Sequence, residues 1–317
     1  MADLSVKLAD VGHTATLVRA AFGLMVVGLF VKVAVFPLHT WQPTAYADAP
    51  DAVSGLISAL VSTVAAYALI RIVFSVFTVG FLDANPLARV ILLVAAAVSI
   101  LLGSLLAVSQ DDIKRMLAYS SVSQFGLIVG AVAIANGTAL TGAAIHLVGH
   151  AVMKGGLFLA AGSVATATGA RTVGAFEGLA GRLPASSGAF ALLAFGVVGV
   201  PPTVGFVGKW YVALGAVEAE SWPLAIVIFL STLLTLAYVA RLVERMYFRE
   251  PAGESPEIAA DAAGETTGVA ADGRGTTLPS AGMRATVLTA AALAVVLGAL
   301  AYGYAQALEP TIETLLS

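Results

Sequence analysis

Eight times along this chain the sequence runs apolar for about 20 residues, the length an α-helix needs to cross the hydrocarbon layer of a bilayer. The runs cover residues 16–38, 51–77, 86–108, 112–135, 139–166, 187–216, 222–248 and 283–308. They are continuous, without the strict alternation of a barrel strand. Only 11% of the residues are charged and 59% are hydrophobic, whereas a soluble domain carries about a quarter charged residues. The expected fold is all-α: a polytopic membrane bundle of about eight transmembrane helices. A net charge of −3 argues against a nucleic-acid partner. The absence of cysteine excludes disulfides, thiolate metal sites and Cys-ligated iron–sulfur clusters. The first sixteen residues, with Asp3, Asp10 and His13, lack the pattern of a cleavable signal peptide.

Against this apolar background the ionisable groups stand out. In GAAIHLVGHAVMKGGLFL, residues 142–159, His146, His150 and Lys154 follow one another at intervals of four. On a helix each step turns the side chain by about 40° and raises it about 6 Å, so the three form a ladder that single waters can link. Ionisable groups inside a membrane helix are costly and read first as functional. A metal site at the two histidines is the alternative; the missing carboxylate and the cationic Lys154 argue against it.

Two more lysines sit beside prolines. Lys32 lies in GLFVKVAVFPLH; a proline at 37 inside that helix frees the Val33 carbonyl next to the amine. The alternative is a lysine that snorkels to the interface. Lys209 lies in GVPPTVGFVGKWY, where Pro201-Pro202 break or kink the helix and Gly199, Gly205 and Gly208 permit close backbone approach. Broken membrane helices are tolerated where they line a cavity or are buried in protein, and they mark ion sites. A structural kink with a snorkelling lysine is the competing reading.

Supporting polar groups are Tyr119, Ser120, Ser121, Ser123 and Gln124 in the fourth span, Ser58, Ser62 and Thr63 in the second, and His39 in the connection 39–50. The small hydroxyl residues equally suit close helix packing. Asp111 and Asp112 suit a helix start. Glu244, between Arg241 and Arg245, is expected to pair with them. Residues 249–281, rich in Gly, Ala, Ser, Thr, Glu and Asp, read as a flexible acidic loop, alternatively a docking segment. Lys114, Arg115, Arg171, Arg182, Arg249, Arg274 and Arg284 flank one side of the membrane, and Lys7, Arg19, Arg71 and Arg89 the other. The bias places the first set in the cytoplasm and both termini outside.

Burial strips an amine of hydration and makes its protonation sensitive to neighbouring charge. Histidine titrates near neutrality unaided. Lysines and histidines joined by water therefore suit proton transfer across an apolar slab.

Four blocks carry a resemblance: FVKVAVFPLHTWQPTAYADAPDAVSGLISALV, SQDDIKRMLAYSSVSQFG, HLVGHAVMKGGLFLAAG and GVPPTVGFVGKW. They are similar to the antiporter-like membrane subunits shared by Mrp-type cation/proton antiporters, respiratory complex I and membrane-bound hydrogenases, and most similar to the D-type Mrp subunits. By that resemblance, Lys32 matches the lysine of the first broken helix. His146, His150 and Lys154 match the central polar axis, and Lys209 the lysine of the second broken helix. The family fold is about fourteen helices with two inverted five-helix repeats. Residues 78–248 would then form one complete repeat, broken at Pro201-Pro202, residues 1–77 the tail of the other, and residues 282–317 a C-terminal membrane helix.

The resemblance implies a proton-translocating subunit of a multi-subunit cation (Na+)/proton antiporter in the cell membrane. It works on protons and a monovalent cation and is not itself an enzyme. It needs neither cofactor nor metal, and its partners are other membrane subunits. The alternatives are a membrane-arm subunit of a complex I-like or hydrogenase-type respiratory assembly, and a non-conducting scaffold. Two departures bear on the first half-channel. The family's amino-terminal six or so helices are absent, with the glutamate that partners the lysine matched by Lys32, and Thr63 stands where many members have lysine. Either another chain supplies the missing helices or that half has lost transport.

Overall fold

The computed structural model describes residues 2–250 and 280–316. The acidic loop expected over 249–281 lies outside the described residues except at its edges.

Seven described helices are long and apolar enough to cross a bilayer. After a short helix α1 (Ala2–Val11), α2 is Thr16–Val33. A short α3 (Trp41–Asp48) leads into α4 (Asp51–Ala84). Then come α5 (Pro86–Val108), α6 (Ile113–Ile134) and α7 (Gly137–Thr168). A single turn, α8 (Leu179–Arg182), precedes two half-helices, α9 (Pro184–Val198) and α10 (Val204–Glu218). Last are α11 (Trp222–Phe248) and α12 (Ala281–Leu316). The span expected over 187–216 is thus two helices meeting at Pro201-Pro202, where the sequence places the break.

Local chemistry sets the boundaries. Asp112 caps α6 by accepting from the Arg115 amide at 2.8 Å, and Asn136 caps α7 by accepting from the Ala139 amide at 2.8 Å, each occupying an otherwise orphaned donor. Gly169 closes α7 at φ 75, a conformation glycine adopts without steric cost.

Three expectations are corrected. The first span does not reach residue 38. It stops at Val33, and Ala34 turns left-handed at φ 61, so Pro37 lies in the following turn and frees no carbonyl in a helix. The turn is held from outside: Trp41 Nε1 donates to the Val31 carbonyl at 2.8 Å, and the Phe36 amide to Ser99 Oγ on α5 at 2.9 Å. The second span runs on to Ala84, relaxing through π-helical turns at Ile57–Val61 and Val73–Phe77. Glu244 pairs with neither Arg241 nor Arg245. It binds Arg249, while Arg245 binds Glu177 and Arg241 reaches Asp111. Residue 245 is adjacent to 244 and points elsewhere on the helix.

Inside and outside helices differ sharply. The apolar window of α6 is 89% buried and that of α7 72%, against 28% for α2 and 22% for α12. Small residues let the inner helices meet. A β-carbon at Gly103 would stand 2.6 Å from the Ser123 amide, and one at Gly126 2.9 Å from the Ile100 amide, so α5 and α6 touch backbone to backbone. Ser104 and Ser123 share a hydrogen bond of 2.8 Å there. In α12, Gly298 faces the break: its β-carbon would stand 2.6 Å from the Thr203 carbonyl carbon and 2.7 Å from the Val204 amide.

Candidate functional site

The half-helix α10 crosses α7 antiparallel on a stripe of glycines. Gly215 lies against Ala139, Gly142 against Val212, Gly208 against His146 and Gly149 against Val204. Each step along one helix is matched by a step back along the other. This register carries Lys209, next to Gly208, to the level of the first histidine.

His146, His150 and Lys154 are fully buried on α7. The two imidazole centroids are 6.3 Å apart, and the Phe125 ring of α6 lies 4.5 Å from that of His150, tilted by 56°. Lys154 Nζ donates to the Leu117 carbonyl of α6 at 2.8 Å, and the Ser121 hydroxyl donates to that same carbonyl at 3.1 Å. Lys209, 7% exposed, donates to the Val197 and Val198 carbonyls at 2.8 and 3.0 Å. Those carbonyls are the last of α9, left without helical partners because the chain turns left-handed at Gly199, φ 95. Helix C-terminal carbonyls carry partial negative charge and favour a cation. The break thus supplies a ready seat for the amine.

Among the described residues neither ring nitrogen of His146 has a protein partner, nor do His150 Nε2 and Gln124 Oε1. A buried polar atom of this kind is normally satisfied by water. The site therefore joins two anchored amines to two imidazoles that call for solvent.

The remaining expected residues are scattered. Ser120, Ser121 and Gln124 are buried on α6. Tyr119 is half-buried, its ring 6.4 Å from that of His39. His39 is buried in the turn before α3, and burial pulls its imidazole below the usual pKa against an opposing hydrogen bond to Pro37. Thr63 is half-buried, its hydroxyl without a partner among the described residues. Lys32 is exposed in the last turn of α2, apart from the buried line.

Several polar contacts escaped the sequence reading, some of them made by residues it had named. Tyr238 of α11 is buried and donates to Ser120 Oγ at 2.7 Å. Gln42, Tyr46 and Ser62 form a buried triad of hydrogen bonds, Tyr46 to Ser62 at 3.1 Å, with Tyr46 edge-on to Phe158 one turn beyond Lys154. Lys114 is buried and donates to the Ala49 carbonyl at 2.6 Å and to Asp51 at 3.0 Å; Arg171 also binds Asp51. Tyrosines and helix-end charges of this kind carry no spacing signal, and backbone acceptors such as Leu117 carry no side-chain signal at all.

Fold and site together define a polytopic helical membrane protein built around a buried line of basic side chains that ends at a broken helix. The chain belongs to the family described as NADH:quinone oxidoreductase/Mrp antiporter, TM, which matches residues 3–235. It is 43% identical over 249 residues to NADH-quinone oxidoreductase subunit N of Desulforudis audaxviator, covering 78% of this chain and 49% of that protein. It is 30% identical over 251 residues to the D-type subunit of the Na(+)/H(+) antiporter of Bacillus subtilis, covering 79% and 50%. Among solved structures it resembles a chain of the Mrp complex from Dietzia sp. DQ12-45-1b (TM-score 0.79, 28% identity, 96% of this chain, 62% of that one). It also resembles one of respiratory complex I from Thermus thermophilus (TM-score 0.78, 26% identity, 93% and 58%). The chain spans about half the length of the curated relatives it matches. The family resemblance drawn from the four sequence blocks is therefore correct.

Proposed function

We propose that this chain is a proton-translocating membrane subunit of a multi-subunit cation/proton antiporter. The observation that carries the reading is the pairing of two buried amines, Lys154 and Lys209, each seated on backbone carbonyls of another helix, with His146 and His150 on the same buried stripe. Among the described residues no carboxylate is bonded to either amine, so their charge is stabilised by dipoles and solvent and stays responsive to its surroundings. Protons enter along α6 and α7, pass Lys154, and leave through Lys209. The test is proton-coupled cation flux in everted vesicles. Lys154→Met and Lys209→Met abolish flux while the complex still assembles; normal flux in either variant refutes the assignment, and a non-conducting scaffold predicts that outcome.

A second reading keeps the chemistry and changes the assembly. The greater identity to a quinone oxidoreductase subunit than to an antiporter subunit, 43% against 30%, favours a redox-driven membrane arm. Purification of the tagged chain decides between them: co-purifying flavin or iron–sulfur absorbance marks the redox assembly, and its absence together with Na+-dependent proton flux marks the antiporter.

The division into a complete repeat over 78–248 and a two-helix tail belongs to this proposal, as does the orientation with both termini outside. So does a partner chain on the α2 side. The exposed Lys32 supports it, together with an apolar groove of about 640 Å³ between α2 and α5, lined by Phe22, Val26, Phe30, Phe81 and Leu92.

A further inference from the structure

Both α4 and α12 run antiparallel to α7. A β-carbon at Gly155 would meet Ala59 of α4 at 3.0 Å, and one at Gly55 would meet Leu159 of α7 at 3.0 Å. On α12, Ala290 stands 2.8 Å from a β-carbon at Gly156, and Ile312 4.0 Å from one at Gly137. All three helices line an open, largely apolar groove of about 440 Å³ that follows α7 from Leu140 to Val152, about 18 Å. Its polar groups are few. Thr63, Tyr67 and Arg71 succeed one another at intervals of four along α4, on one face of the helix. Among the described residues Tyr67 and Arg71 have neither hydrogen bond nor ion pair, whereas Arg19 and Arg89 are bound by Asn85 and Asp83. Asp51, at the start of α4, belongs to a charged cluster with Lys114 and Arg171. Arg71 lies about 30 Å further along the helix, the thickness of the hydrocarbon layer, which sets its guanidinium at the level of the opposite headgroups.

We propose that this groove is a binding site for one anionic phospholipid, its phosphate on Arg71, a glycerol-ester carbonyl at Tyr67 and an acyl chain laid along α7. The match is one of donors to acceptors. A guanidinium offers five N–H groups and no acceptor, and a phenol offers its O–H; the lipid end of the groove's occupant carries phosphate and ester oxygens. Arginine takes a phosphate through two parallel hydrogen bonds. Because Arg71 lacks a counter-ion in the chain, a headgroup of net negative charge suits it better than a zwitterionic one, which brings its own cation. Tyr67 lies about 6 Å inward of Arg71 and Thr63 about 12 Å inward, so the phenol is at ester depth and the threonine is already beside the chain. A protein helix in the groove would take Arg71 out of water and have to bring a carboxylate to it, whereas the lipid carries the charge with it. The site is separate from the line of lysines and histidines and stands without the translocation reading.

The test is photo-crosslinking of the purified complex with a phosphatidylglycerol that carries a diazirine in its acyl chain, followed by mapping of the labelled peptides. Label falls on the α7 stretch from Leu140 to Val152. Unlabelled phosphatidylglycerol displaces it about fivefold better than phosphatidylcholine with the same chains, the affinity equivalent of one basic side chain facing an anionic lipid. Arg71→Gln lowers labelling about fivefold and erases the preference between the two competitors, while Arg71→Lys, which keeps the charge, retains part of both. Arg89→Gln, which removes an arginine already bound to Asp83, labels as the wild type does. Competition on the wild-type complex decides the question by itself if Arg71→Gln fails to assemble. Equal competition by the two lipids, labelling unchanged in Arg71→Gln, or label spread evenly over the outer helices overturns the proposal. So does label missing from α7 and found on a neighbouring subunit, which shows the groove filled by protein.

Discussion

Gly208 lies directly on His146. A β-carbon at position 208 would stand 2.8 Å from the His146 Cβ and 2.9 Å from its Cα, so α10 approaches α7 as closely as backbone allows at the level of the ladder. Gly208→Ala forces the two helices apart and costs about 1–3 kcal/mol, the range for overpacking a filled interior. The expected result is a lower melting midpoint of the detergent-solubilised complex and reduced flux. Gly23→Ala, where nothing lies within 4 Å, is the control. It leaves the midpoint unchanged or raises it, since alanine is the better helix former.

Gly199 controls the Lys209 seat in two ways. Its φ of +95 is strained for any residue with a side chain, and a β-carbon there would meet Lys209 Cδ at 3.2 Å. Gly199→Ala therefore costs about 1–2 kcal/mol of backbone strain and pushes the amine off the Val197 and Val198 carbonyls. Flux falls more than the drop in assembled complex accounts for; equal losses of the two would show that the seat is indifferent to the lysine.

Asp51 ties three elements together, accepting from Lys114 of α6 and from Arg171 after α7 while its own side chain rests against Gly162. Asp51→Ala leaves the buried Lys114 amine with the Ala49 carbonyl alone. The loss is about 1.5–3 kcal/mol, typical for hydrogen bonds to a charged group. Adding Lys114→Met removes the stranded charge and recovers part of the loss. A double-mutant cycle on thermal midpoints measures this coupling; strict additivity would count against the triad.

His146 predicts opposite effects on stability and function. Both ring nitrogens are buried without a partner among the described residues, and holding them there costs more than burying an apolar side chain of similar size, about 1–3 kcal/mol for each group left unsatisfied. His146→Leu holds or raises the melting midpoint and abolishes flux. A variant that lost stability and kept flux would place the residue among the core rather than on the path.

Much of the bundle is legible because hydropathy over about 20 residues reports burial in lipid whatever the tertiary detail. The break at Pro201-Pro202 is legible for a different reason: two prolines remove two consecutive donors. The end of α2 is not. Ala34 turns left-handed without the glycine that usually announces it, because Trp41 and Ser99 hold the turn from outside. The partner of Glu244 is hidden because nearness in sequence is not nearness on the helix. At the site, the basic groups announce themselves by charge in an apolar run. Their seats on Leu117, Val197 and Val198 do not, since every residue carries the same carbonyl, and which ones face an amine is decided by how the helices cross.

At Gly298, α12 settles over the gap between α9 and α10, close against the Pro202–Val204 backbone. Bare peptide groups cannot face hydrocarbon without a cost of several kcal/mol each. This helix contributes no amine or imidazole to the buried line of basic groups, yet it covers the break between α9 and α10. Were it to drift sideways, acyl chains would meet naked amides, and the opening that accommodates Lys209 would have to close up or flood.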